Sequence, residues 1–342
     1  MNDDNEQVKP NLKKWLLQAV IYLGTVLVIA GGFLYIAVTM PGTSVPFPTS
    51  PLSPEQTALR SRLQGHVHHL SVSIGERSAG QSIKLAETAD YIRQQLQSSG
   101  YIPTVRTFGD EQFVNIEVDL YGREKRDEII VIGAHYDTTW MTPGADDNAS
   151  GIAALLEIAA AMKGKRYTRT IRFIAFGNEE VPNYRRAEMG SMISAKRSFT
   201  RSEQIVGMMA LEMLGYYSDA PGSQHYPAVL SPFYPDRGNF VAFVSNLVSR
   251  DFQLRAITHF RDLELFPSEG LIAPEWVERS IRRSDHASYW YYDFPAIMIT
   301  DTANFRNPHY HRRTDTYDTL DYDSLSRVVS GLTVVIERLA QE

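Results

Sequence analysis

Apolar and polar positions along the chain fall into a few clear periods. Trp15 to Val38 is uncharged and rich in Leu, Val, Ile, Ala and Gly. A bilayer-spanning helix needs roughly 20 such residues, and the run has no polar face to suit a soluble surface helix. The apolar core of a cleaved secretory signal is shorter, about 7–15 residues, so the stretch reads as a retained anchor. Residues 39–54 carry Pro41, Pro46, Pro48, Pro51 and Pro54 and predict an extended linker. Ser53-Pro54-Glu55 predicts a helix start, Ser53 capping and Pro54 in the first turn, with the helix running to about Leu70. Helical spacing of Ile83, Ala86, Ala89, Ile92 and Leu96 predicts a second helix over Ser78–Ser99, stopped by Gly100.

Further on, Phe113–Leu120 alternates as a half-buried strand does. Glu128–Ala134, Thr170–Phe176, Ile205–Met213 and Phe294–Thr300 are short, nearly continuous apolar runs and predict buried strands. Ile152–Met162, Gly190–Phe199, His286–Tyr292 and Tyr317–Leu339 predict helices, and Ser218–Asn239 predicts a long loop. Phe240–Val248 and Arg255–His259 leave strand and helix open. Strands alternating with helices predict an α/β fold, a mostly parallel central sheet with helices on both faces, preceded by one transmembrane helix.

The resulting organisation is a polar tail over 1–14, an anchor over 15–38, a linker over 39–54 and one domain over 55–342. Lys9, Lys13 and Lys14 precede the anchor, and the next basic residue after it is Arg60. Positive charge stays inside, so the N-terminus is expected in the cytoplasm and the domain in the periplasm or outside the cell. The net charge of -6 argues against nucleic acid as a partner. The chain has no cysteine, which excludes disulfides, thiolate catalysis and sulfur-ligated zinc. A metal site would have to be built from the 9 histidines and 40 acidic residues.

Candidates for such a site sit at strand ends and helix starts: His135, Asp146-Asp147, Glu179-Glu180, Glu212 and His311. His135 ends a buried strand, and Asp137, two residues on, points the same way and is placed to hold the second ring nitrogen of a metal-bound histidine. Glu179 and Glu180 follow another buried strand. Neighbours on an extended chain point oppositely, so one could bind metal while the other serves as a base. Glu212 lies in an apolar strand, where a carboxylate needs a partner. Three ligand carboxylates and one hydroxide balance two divalent cations, and zinc suits histidine and carboxylate ligands. The cluster His66, His68, His69 does not share one helical face and reads as a solvated helix end.

These segments carry a family resemblance. H-Y-D at 135–137, D-D-N-A-S-G at 146–151, N-E-E at 178–180, L-E-M-L-G-Y at 211–216, S-D-H-A at 284–287 and Y-H-R-R-T-D-T at 310–316 resemble, in order, the motifs of metallopeptidase family 28, the co-catalytic dizinc aminopeptidases. The resemblance implies two Zn2+ per chain. Asp147 would bridge them, His135 and Glu212 would complete one site, and Glu180 and His311 the other. Glu179 would be the general base, Asp137 would orient His135, and Tyr310 would hydrogen-bond the oxyanion. Many relatives carry Asp where this chain has Glu212. Asp285 and His286 would lend support without binding metal. The implied activity is removal of N-terminal residues from peptide substrates by a metal-activated water.

Two other readings stay open. Relatives on this fold include carboxypeptidases and glutaminyl cyclases. His135 favours hydrolysis over cyclisation, while Arg185, Arg186, Arg282, Arg283, Arg312 and Arg313 leave a carboxylate-binding pocket open. An inactive anchored binding module would be expected to have lost ligands, and all the key positions are filled. The aromatic loop with Tyr216, Tyr217, Tyr226, Phe233 and Tyr234 could wall a specificity pocket.

Overall fold

A computed structural model describes residues 12–109, 113–228, 230–276 and 278–342. Most of the polar tail, residues 1–11 with Lys9, lies outside them. The chain divides into two units, Met1–Thr39 and Met40–Glu342. In the first, α1 (Leu12–Val38) is one helix long and apolar enough to cross a membrane, and none of that length is buried.

The second unit is built on an eight-stranded sheet. Its strands are β1 (Thr104–Phe108), β2 (Phe113–Leu120), β3 (Lys125–His135), β4 (Arg169–Phe176), β5 (Gln204–Glu212), β6 (Val241–Ser245), β7 (Ser268–Ile272) and β8 (Ala296–Thr300). They lie in the order β1-β2-β4-β3-β5-β8-β6-β7. The central strands β4, β3, β5 and β8 run parallel, as do β6 and β7, while β1, β2 and the β8–β6 junction pair antiparallel.

Alternation along the central strands feeds two cores. Ile130, Ile132 and Ala134 of β3 join Ile171, Phe173, Met209 and Leu211 on one face, and Ile129 and Val131 join Ile174, Phe176, Met208 and Ala210 on the other. Burial on both faces is why these strands read as unbroken apolar runs. The first face is covered by α2 (Pro54–His68), α3 (Ser82–Ser98), α4 (Gly151–Met162), α6 (Arg250–Arg261) and α8 (Tyr322–Gln341). The second carries the shorter α5 (Gly190–Thr200) and α7 (His286–Trp290) and leaves room for a pocket.

Several elements differ from the sequence reading. Ser53 caps α2 through a full capping box, but the helix passes at His69 into a π-type turn ending at Ile74. The third helix starts at Ser82, and the last at Tyr322, where Asp321 caps it. Strands β1 and β7 were not expected, and Arg255–His259 lies within helix α6. The proline-rich segment forms neither helix nor strand from Met40 to Ser53 and is held against the rest of the second unit. Met40 is buried, Phe47 packs edge-on against Phe266, and Arg261 donates to the carbonyls of Pro41 and Gly42. His66 bonds Tyr91 and Glu157, and His69 stacks on Tyr91.

Candidate metal centre

The C-terminal ends of β3, β4, β5 and β8 point the same way, and in an open α/β sheet this is where ligands bind. His135 is the last residue of β3, Glu212 the last of β5, and Glu179-Glu180 follow β4. Asp147 lies in the turn before α4 and His311 in the loop after β8, each with backbone angles outside the helical or extended wells. His311 holds φ of 57°, a conformation a non-glycine residue keeps only where its surroundings fix it.

These side chains converge on Asp147. Its Oδ1 lies 3.4 Å from His135 Nε2, and its Oδ2 lies 3.1 Å from His311 Nε2. Glu212 Oε2 is 3.4 Å from His135 Nε2, and Glu180 Oε1 is 3.1 Å from His311 Nε2. Two clusters result, His135–Asp147–Glu212 and Asp147–Glu180–His311, each with donor atoms close enough to share one ion. Asp147 belongs to both. Its Oδ1 is buried with no hydrogen-bond partner among the described residues, a costly state unless a cation takes the lone pair. Hard carboxylate oxygens with two imidazoles and no thiolate are a donor set for zinc. The residues present therefore fit metal.

Electrostatics point the same way. Burial, with Glu180, Glu212 and Asp285 nearby, pushes the Glu179 carboxyl well above its ordinary range. Burial and Asp147 push Glu180 up to about 7. Burial would lower His311, but Asp147 and Glu180 carry it up to about 10, and Glu212, Asp137 and Asp147 likewise raise His135 against its burial. Asp147 is held below the usual carboxylate range by the two histidines despite its burial. Crowded buried carboxylates of this kind call for positive charge. Tyr310 lines the same pocket and stacks on His311 with ring centroids 3.8 Å apart; burial and the carboxylates raise its phenol, so it stays a donor.

A surrounding shell fixes the ligands. Asp137 accepts the main-chain N–H groups of Glu179 at 3.0 Å and Glu180 at 2.9 Å. The His135 Nδ1 contact goes to the Asp137 carbonyl at 3.2 Å, with the nearer carboxylate oxygen at 3.5 Å. Asp137 thus holds the glutamate loop more firmly than the histidine. Asp315 accepts the N–H groups of Asp146 and Asp147, and Ser284 donates to Glu212 Oε2 at 2.5 Å. Asp146 accepts from Gly215 N and Asn307 Nδ2 and does not cap α4. Asn148 bridges Leu211, Met213 and Gly151. Gly151 is required there, since a Cβ would stand 2.3 Å from Asn148 Oδ1 and 2.4 Å from the Leu211 carbonyl. Arg77 is fully buried and donates to the carbonyls of Leu70, Gly75, Tyr136, Pro143 and Gly144. Asp285 is buried beside the pocket, and burial pushes it up to about 7. His286 donates to the Ile281 carbonyl and does not reach the centre.

Sequence reasoning had no access to Arg77 or Asn307, which belong to no motif, and Ser284 stood in the 284–287 motif without a role of its own. Asp315 stood in the 310–316 motif, but its grip on Asp146 and Asp147 needs the fold. A cavity of about 310 Å³ opens from the centre across the second face of the sheet. Of the loop aromatics, Tyr226 and Tyr234 line it, while Tyr216, Tyr217 and Phe233 do not.

Comparison with known proteins identifies the family. The sequence model of Peptidase family M28 matches residues 115–336. An uncharacterized protein, YfbL of Escherichia coli (strain K12), is 38% identical over 298 residues, covering 83% of this chain and 88% of that one. BSAP, a zinc aminopeptidase from Bacillus subtilis, superposes with a TM-score of 0.64 at 13% identity, covering 88% of this chain and 97% of its own. The glutaminyl cyclase of Bacteroides thetaiotaomicron superposes with a TM-score of 0.60 at 18% identity, covering 81% and 97%. The family implies zinc. The chain belongs to peptidase family M28 and is a hydrolase acting on peptides.

Proposed function

We propose that the protein is a dizinc aminopeptidase held to a membrane by α1, with its second unit in the periplasm or outside the cell. The observation that carries the dizinc reading is the division of Asp147: one oxygen faces His135, the other His311. His135, Glu212 and Asp147 would hold one ion, and Glu180, His311 and Asp147 the other. Two such ions lower the pKa of a water and stabilise charge on a carbonyl oxygen.

The remaining work falls to the chain's own groups. Glu179 takes a proton from the attacking water as the water oxygen bonds to the scissile carbonyl carbon. It passes that proton to the amine nitrogen as the C–N bond breaks. Burial among carboxylates raises its carboxyl above the ordinary range, the direction that favours holding a proton between the two steps. Tyr310 donates its phenol hydrogen to the carbonyl oxygen as charge develops there. Asp137 holds the main chain under Glu179 and Glu180, and Ser284 fixes Glu212.

The test joins metal content to turnover. Purified protein should carry about two zinc ions per chain, release residues only from free N-termini, and lose turnover but keep its metal in Glu179→Gln. One zinc with cyclisation of N-terminal glutamine would replace this reading with a cyclase. For the anchor, the full chain should stay with membranes after alkaline washing and a chain starting at Met40 should not.

A further inference from the structure

The pocket beside the centre has a floor that can be read strand by strand. Glu212 at the end of β5 pairs with Thr300 of β8, Thr300 with Ala242 of β6, and Ala242 with Glu269 of β7. Directly paired residues point to the same sheet face. Glu212 and Glu269 therefore stand at opposite ends of one row, three strand spacings or about 14 Å apart. Met298, Val244 and Leu271 form the next row and also line the cavity. Its walls are Phe240, Leu230, and the stacked rings of Tyr226 and Tyr234. The two tyrosine hydroxyls are already spent on the carbonyls of Pro235 and Gly270, so the pocket meets rings and not hydroxyls.

Among the described residues of the lining, Glu269 is the one carboxylate away from the centre, and the cation that also lines the cavity, Arg283, donates to Asn304 at 2.6 Å. The Glu269 carboxylate makes no hydrogen bond among the described residues, and the nearest cation, Arg261, stands 3.8 Å away. That guanidinium already donates to Ser268 and to the carbonyls of Pro41 and Gly42. An anion at the far end of an apolar slot is matched by a long aliphatic stem with a cationic tip. A lysine or arginine side chain spans about 6–7 Å. The scissile carbonyl and the Cα between it and that side chain occupy the end of the row nearest Glu212.

We propose that Glu269 is a specificity-determining residue and that the pocket selects a lysine or arginine at the substrate's N-terminus. The inference rests on the aminopeptidase reading and adds its substrate class.

The test compares kcat/KM of the zinc-loaded full chain on lysyl, arginyl, norleucyl and leucyl anilides. Norleucine has the lysine stem without the charge. The expected lysine-to-norleucine ratio is above tenfold, and in Glu269→Gln it should fall by tenfold or more. Glu269→Lys should move the preference toward glutamyl anilide. As a binding readout, lysinamide should raise the Tm of the Glu179→Gln protein more than norleucinamide does. A wild-type preference for norleucine and leucine would overturn the proposal without any variant, and so would an unchanged ratio in a folded, zinc-loaded Glu269→Gln. Either result would leave the aminopeptidase reading standing. Failure to cleave any of the four anilides would sink that reading, and this one with it.

Discussion

The carboxylate of Asp137 carries the main chain of Glu180, its Oδ2 accepting that N–H at 2.9 Å. Oδ1 does the same for Glu179. Asparagine keeps the shape but turns one acceptor into a donor, leaving a buried N–H unpaired at a cost of about 1–3 kcal/mol. Asp137→Asn should therefore lower kcat and weaken zinc binding together, each by roughly 10–100-fold. Steady-state kinetics with chelator competition would check this; a change in kcat alone would place Asp137 in proton transfer instead.

Ser284 touches only one of the two ligand clusters, through Glu212. Ser284→Ala should loosen one ion and spare the other. Chelator titration should then show two release phases, the weaker shifted by about tenfold. Uniform loosening of both ions would argue against two distinct sites.

Arg77 ties the turn after α2 to the loop ahead of Asp147 with bonds to five carbonyls. Removing it strands buried acceptors. Arg77→Met should cost on the order of 3–5 kcal/mol, lowering Tm by at least about 5 °C. Arg77→Lys should rescue little, because an ammonium cannot reproduce the planar fork. Thermal melts of the three proteins decide it.

His286 is fully buried, and burial lowers its imidazole to about 4, only partly offset by the Ile281 carbonyl. The unfolded chain binds that proton near 6.5, so between the two values the unfolded state holds more protons. Stability is intact above pH 6.5 and falls by about 3 kcal/mol as pH drops to 4. His286→Gln, whose amide can still donate to Ile281, should flatten the Tm–pH curve across that window.

The parts legible in the sequence were those whose partners are local. β3, β4, β5 and β8 lie between two cores, so their apolar runs announced them, and β3, β4 and β5 each ended on or near a candidate ligand. β7, with Ser268, Glu269 and Gly270 in five residues, has almost no strand signal of its own and takes its conformation from pairing with β6. β1 is likewise an exposed edge held by β2. The proline-rich segment read as a free spacer because nothing in its composition announces Arg261 or Phe266, which hold it down. At the centre, ligand-type residues stood out as charge inside apolar context, whereas Ser284, Arg77 and Asp315 are ordinary polar residues until folding places them.

The bonds from Asp315 to Asp146 and Asp147 span nearly half of the chain. His311 comes to Asp147 across a similar distance in sequence. Contacts that remote form late, because loop closure must precede them. A chain emerging N-terminus first presents His135, Asp147 and Glu180 long before His311 and Asp315 exist to complete the cluster. On the proposed reading, the cluster of Asp147, Glu180 and His311 is therefore assembled only after the C-terminal segment has joined the fold.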